Sequence, residues 1–162
     1  VPSPPATATA SRAENSVATE TPTATAPLWP YQVQAGMPRY LPNLFHGDQS
    51  CNWMGVGGQV LDVQGAPVRD FLVVEVTGRI AGLPVSELTA VGMAPAYGEA
   101  GFEITLAKQP LGSTGALRIR LYDASLNPLS EAYTFDTRPT CDASLVLINF
   151  TANPAGFPTP TP

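Results

Sequence analysis

A chain of 162 residues has room for one ordinary domain with tails. Its 13% of charged residues is about half the usual share, while the apolar fraction stays ordinary at 44%. The net charge of −5 rests on only 8 Lys and Arg with no basic cluster, which excludes a phosphate-tracking nucleic-acid binder. No apolar run approaches the roughly 20 residues that cross a bilayer, so no membrane span is expected.

What solvates the surface is Thr, Ser, Gly and 18 prolines. That pattern suits secreted and cell-surface proteins, and it removes charge that normally discourages self-association. The opening Val1-Pro2-Ser3-Pro4-Pro5 has neither the basic nor the apolar region of a leader, and reads as a mature product after its removal. Residues 1–27 form a Thr/Pro/Ala-rich tail. Its small side chains and prolines bury too little to offset the entropy of ordering a backbone. It reads as an extended tether of the kind that carries O-glycans, with Thr21, Thr23 and Thr25 as acceptors.

Residues 28–50 form an arm. In Leu28-Trp29-Pro30-Tyr31-Gln32-Val33-Gln34-Ala35, Tyr31, Val33 and Ala35 share one strand face and the glutamines the other. Tyr40–Phe45 is a second apolar piece, interrupted by Pro42. The lone histidine, His46, sits beside Gly47 and reads as linker surface; any serine nucleophile would have to use it as base, and no Gly-x-Ser-x-Gly elbow exists.

From Cys51 to Ala152 the rhythm is that of an all-β domain. Strands are expected near 54–63, 71–78, 85–91, 101–107, 116–123, 130–136 and 144–151, divided by glycine, proline and asparagine turns. Phe102, Ile104 and Leu106 alternate with Glu103 and Thr105, and Leu117, Ile119 and Leu121 with Arg118 and Arg120. Seven short strands favour a two-sheet sandwich, followed by a Pro/Thr-rich tail over 153–162.

Cys51 and Cys141 flank the first and last core strands and are expected to pair, as exported domains do. Two cysteines and one histidine are too few for a metal site, and the acids are scattered singly, with no calcium-loop pattern. No catalytic residue, metal or cofactor is expected. Asn149-Phe150-Thr151 is formally an N-glycosylation sequon. Aromatic mass concentrates at Trp29, Tyr31, Tyr40, Phe45 and Trp53. Three uses are open to it: wrapping the sandwich, stacking on a glycan with Trp53 and Tyr97, or inserting into a neighbouring subunit.

The stretch Gly58-Gln59-Val60-Leu61-Asp62, the turn Gln64-Gly65-Ala66-Pro67-Val68 and the apolar run Phe71–Val76 resemble the opening of a carboxypeptidase-regulatory-like, or transthyretin-like, domain. With Cys51-Asn52-Trp53-Met54-Gly55-Val56, Ala94–Gly98 and Cys141–Phe150, the chain is similar to secreted bacterial Ig-like modules on Thr/Pro stalks. The resemblance covers about residues 31–152 and implies a seven-stranded Ig-like or transthyretin-like β-sandwich with an extended N-terminal arm. It also implies a non-catalytic part at the cell surface. The leading expectation is a structural subunit of an extracellular filament. Its arm would add a strand to the next copy through Val17, Leu28, Trp29, Tyr31 and Val33. The alternative is a monomeric module that binds glycans or another surface protein, with the arm folded back on its own domain.

Overall fold

The computed structural model describes residues 1–5 and 27–157. It is all-β, with ten strands and three single-turn 3₁₀ segments. The strands are β1 (Tyr31–Val33), β2 (Arg39–Leu41), β3 (Met54–Leu61), β4 (Val73–Ile80), β5 (Leu83–Ala90), β6 (Gly101–Ala107), β7 (Ser113–Tyr122), β8 (Tyr133–Thr137), β9 (Leu145–Leu147) and β10 (Phe150–Ala152).

The arm, expected to hold one or two strands, supplies β1 and β2. The core has eight strands rather than the expected seven, because the last one breaks into β9 and β10 around Ile148 and Asn149. Asn149 causes the break by leaving the ladder role to its side chain: its Oδ1 accepts from the Gln59 amide and its Nδ2 donates to Gln34 Oε1. β9 and β10 both run parallel to β3, and β2 and β1 lie antiparallel to them on the far side. The arm is therefore one interrupted edge strand of this first sheet, whose opposite edge is β6.

The second sheet has the order β5-β4-β7-β8. β4 and β5 close through the two-residue turn Ala81-Gly82, both at positive φ (49° and 81°), the twist a tight hairpin needs. Pro84 lies inside β5 rather than in the turn. A proline is tolerated there because β5 is an edge strand, and the missing N–H falls on the unpaired side.

Between the sheets, Met54, Val56, Val60, Val74, Val76, Phe102, Leu117, Ile119, Leu121, Val146, Ile148 and Phe150 form the core, each 5% exposed or less. The alternation read from the sequence in β6 and β7 is the alternation that fills it. Each fully buried large apolar side chain contributes about 1.5–3 kcal/mol relative to exposure. Cys51 and Cys141 are joined, with Cα atoms 5.2 Å apart across 90 residues of sequence. No helix among the described residues is long and apolar enough to cross a membrane.

Candidate functional site

The arm is a strap built from its own side-chain alternation. Tyr31 points between the sheets and is 6% exposed. Its N–H donates at 3.0 Å to Leu129 O in the segment between β7 and β8, where Tyr31 also forms an isolated parallel bridge with Ser130. Tyr31, Gln32 and Val33 pair with Ala152, Thr151 and Phe150 of the same chain. Trp29 crosses to the other side of the sandwich edge, where the Arg120 guanidinium sits 5.1 Å from its ring centroid. Arg120 is pinned in turn by Nε donating to Ser130 O at 2.9 Å. Further along, Tyr40 donates to Asp136 O at 3.2 Å and carries Arg138 over its ring at 3.8 Å.

These contacts are the first of the three uses open to the aromatic segment, wrapping its own sandwich, and they engage Trp29, Tyr31 and Val33, the residues also expected to reach a neighbouring subunit. Within one chain their partners are already intramolecular, because the alternation that suited a foreign sheet suits the open edge of β10 equally well. Leu28 is 63% exposed and makes no such commitment. Val17, Thr21, Thr23 and Thr25 lie outside the described residues.

A groove of about 760 Å³ follows the seam between the arm and β8. Tyr31 lines it on the arm, and the Tyr133 hydroxyl donates across it to the Met37 carbonyl at 3.1 Å. The backbone on both walls faces the seam at alternate residues. Tyr31 already uses its N–H there, and Met37 its carbonyl. Gln32, Gln34, Glu131, Thr134 and Asn153 supply polar side chains, and Trp29 supplies an aromatic wall.

A second cluster lies on the outer face of the first sheet. Trp53 packs over Gly55 and Tyr97 over Gly57, and a Cβ at either glycine would run into the ring above it. His46 stacks on Trp53 with centroids 4.6 Å apart, and its Nε2 lies 2.8 Å from Glu103 Oε1. Tyr97 donates to Glu103 Oε2 at 2.7 Å, and Phe45 meets Tyr97 edge-on at 4.6 Å. His46 is thus a packed latch on the 42–50 segment rather than linker surface.

Trp53 and Tyr97 are accordingly corrected as a glycan-stacking pair. Trp53 is only 2% exposed, and Tyr97 has its hydroxyl given to Glu103 and its ring between Gly57 and Phe45. The paired glycines, which free one sheet face for rings, were the signal in the sequence. Asn149 is corrected as a glycan acceptor for a similar reason: its side-chain nitrogen is spent on Gln34.

Burial, followed by the hydrogen bond to Glu103, raises the Tyr97 hydroxyl well above its ordinary 10.0. Burial likewise raises Tyr31, Tyr40 and Tyr122, assisted by Asp70, Asp136 and Glu75 respectively. A group whose pKa is raised on folding gives stability that is complete below its unfolded value and is lost as pH climbs above it. The urea midpoint is therefore expected to fall between about pH 9.5 and about pH 11, and to fall less steeply in Tyr97→Phe. Parallel pH profiles for the two proteins would refute this role of Tyr97.

Asp62 and Asp123 are turn builders. Asp62 Oδ1 accepts from the amides of Gln64 and Ala66, and Asp123 Oδ1 from those of Ser125 and Asn127. Among the described residues no group of three or more His, Cys, Asp or Glu is gathered as metal ligands would be. Set beside family models, curated proteins and solved structures, the chain matches none of them.

Proposed function

We propose that the chain is a non-catalytic, extracellular binding module of transthyretin-like type, held on Thr/Pro-rich tethers and acting as a monomer. The observation that carries this reading is the arm: Tyr31 to Val33 complete the chain's own sheet, and Trp29 clamps its own Arg120. Tyr31 to Val33, paired in cis, are not free to add a strand to a neighbour. The pairing of Cys51 with Cys141 supports an oxidising compartment.

Strand order supports the transthyretin-like side of the resemblance. In an Ig constant-type sandwich the first two strands share a sheet. Here β3 and β4, the first two core strands, lie in different sheets, and β9 and β10 pair with β3 in parallel.

A filament reading keeps one specific support. β5 is an eight-residue edge with Leu83 70% and Leu88 57% exposed, which suits strand addition by a second copy. Light scattering on the full chain at about 100 μM separates the two readings. The mass of one chain, with single particles in electron micrographs of the natively purified protein, is the expected result. Filaments, or masses growing with concentration, would replace the module reading by the polymer reading.

A further inference from the structure

The groove between the arm and β8 has a lining that selects one class of ligand, and the selection can be read residue by residue. Glu131 is the one charged side chain among its lining residues. An anionic or cationic ligand would therefore find no matched set of opposite charges, and a neutral one is favoured.

The hydrogen-bonding groups are mostly amides and hydroxyls. Gln34 Oε1 already accepts from Asn149 Nδ2, and Asn153 Oδ1 already accepts from the Ala155 amide. Each keeps a side-chain nitrogen with two N–H donors. Gln32 and Thr134 are exposed and offer both a donor and an acceptor, and Glu131 offers a carboxylate acceptor. Donors and acceptors thus stand on both walls.

Trp29 adds the apolar element. Arg120 and the Pro30 turn hold it in place, so little side-chain freedom is lost when a ligand stacks on it. A flat ring with C–H groups on its face and hydroxyls around its rim satisfies an indole and a fringe of amides together. That description is a pyranose.

An extended peptide fits less well. Strand addition draws its affinity from backbone hydrogen bonds. β1 is only three residues long, and the Tyr31 N–H is already given to Leu129. The seam leaves too few edge groups for a peptide strand to be held by its backbone.

We propose that this groove binds a neutral oligosaccharide, with Trp29 as the stacking surface and Gln32, Gln34, Asn153, Thr134 and Glu131 as the partners of its hydroxyls. The proposal rests on the monomeric-module reading and names its ligand. The test titrates the full chain with cellohexaose, xylohexaose, mannohexaose and N-acetylchitohexaose, read by tryptophan fluorescence and saturation-transfer NMR. Trp53 is buried, so a fluorescence change reports Trp29.

At least one sugar is expected to saturate with a Kd of about 0.1–1 mM. Trp29→Ala should weaken it about tenfold or more, and Gln32→Ala about three- to fivefold. Gln32 is exposed, so its variant keeps the fold even if the Trp29 variant does not. Tyr97→Phe should bind as wild type. No saturation by any of these sugars up to about 10 mM would overturn the proposal. So would unchanged affinity in Gln32→Ala and Trp29→Ala, or saturation only by a peptide of residues 19–27. Each of these leaves the monomer mass intact, so failure of the groove and failure of the module reading are told apart by light scattering.

Discussion

Replacing Cys51 and Cys141 together by serine is expected to remove about 4–5 kcal/mol of stability. The bridge closes a loop of 90 residues in sequence, and in the chain-entropy account its effect lies in the unfolded state, whose freedom it restricts. A domain of this size has about 5–15 kcal/mol in all, so the loss is about a quarter of the total or more. The thermal midpoint should fall by roughly 15 °C. The two ends joined are the entry to β3 and the entry to β9, which are parallel neighbours. Without the bridge that parallel pair must be found by closing the whole domain as a loop. A drop below about 1 kcal/mol in urea unfolding would show that the reduced chain already holds those ends together.

Removal of residues 1–35 is expected to destabilise the sandwich by about 3–5 kcal/mol rather than merely to trim a tether. Tyr31 is buried between the sheets and packs edge-on against Phe157 at 5.7 Å. Its loss opens a cavity above Phe150 and Ala152 and uncovers the edge of β10. An unpaired apolar edge beside a core invites association, so the shortened protein should also aggregate on concentration. Tyr31→Ala alone should account for about 2–4 kcal/mol of the effect. Wild-type stability in the shortened chain would mean that the arm decorates the fold without belonging to it.

The same arm shows where the sequence could be read and where it could not. Tyr31, Val33 and Ala35 spell one face of a strand, and a strand is what forms over Tyr31–Val33. Which sheet that strand joins is a property of edges, and a lone alternating segment fits any open edge of matching polarity. The core strands were legible because Phe102, Ile104 and Leu106, and Leu117, Ile119 and Leu121, repeat the two-residue period on one buried face. The break between β9 and β10 was not. Asn149 alternates correctly, and only the register against Gln59 and Gln34 turns its amide into a ladder substitute.

Trp53 and Tyr97 misled for a related reason. Exposed aromatic side chains and rings laid over glycines carry the same letters, and the distinction lay two residues away in Gly55 and Gly57. The groove was invisible as a unit because its walls are about 100 residues apart in sequence, at 31–37 and 131–134. Its glutamines had been legible only as the solvent face of a strand.

The arm in cis is the claim on which the monomeric module and its groove both stand. Isotope-filtered NOE spectroscopy on an equal mixture of labelled and unlabelled chains tests it most directly. Contacts from Tyr31 to Ala152 and Val33 to Phe150 should appear only within labelled chains, with none between labelled and unlabelled partners. The same contacts appearing between chains would show the arm exchanged or donated to a second copy, and would return the protein to the filament reading.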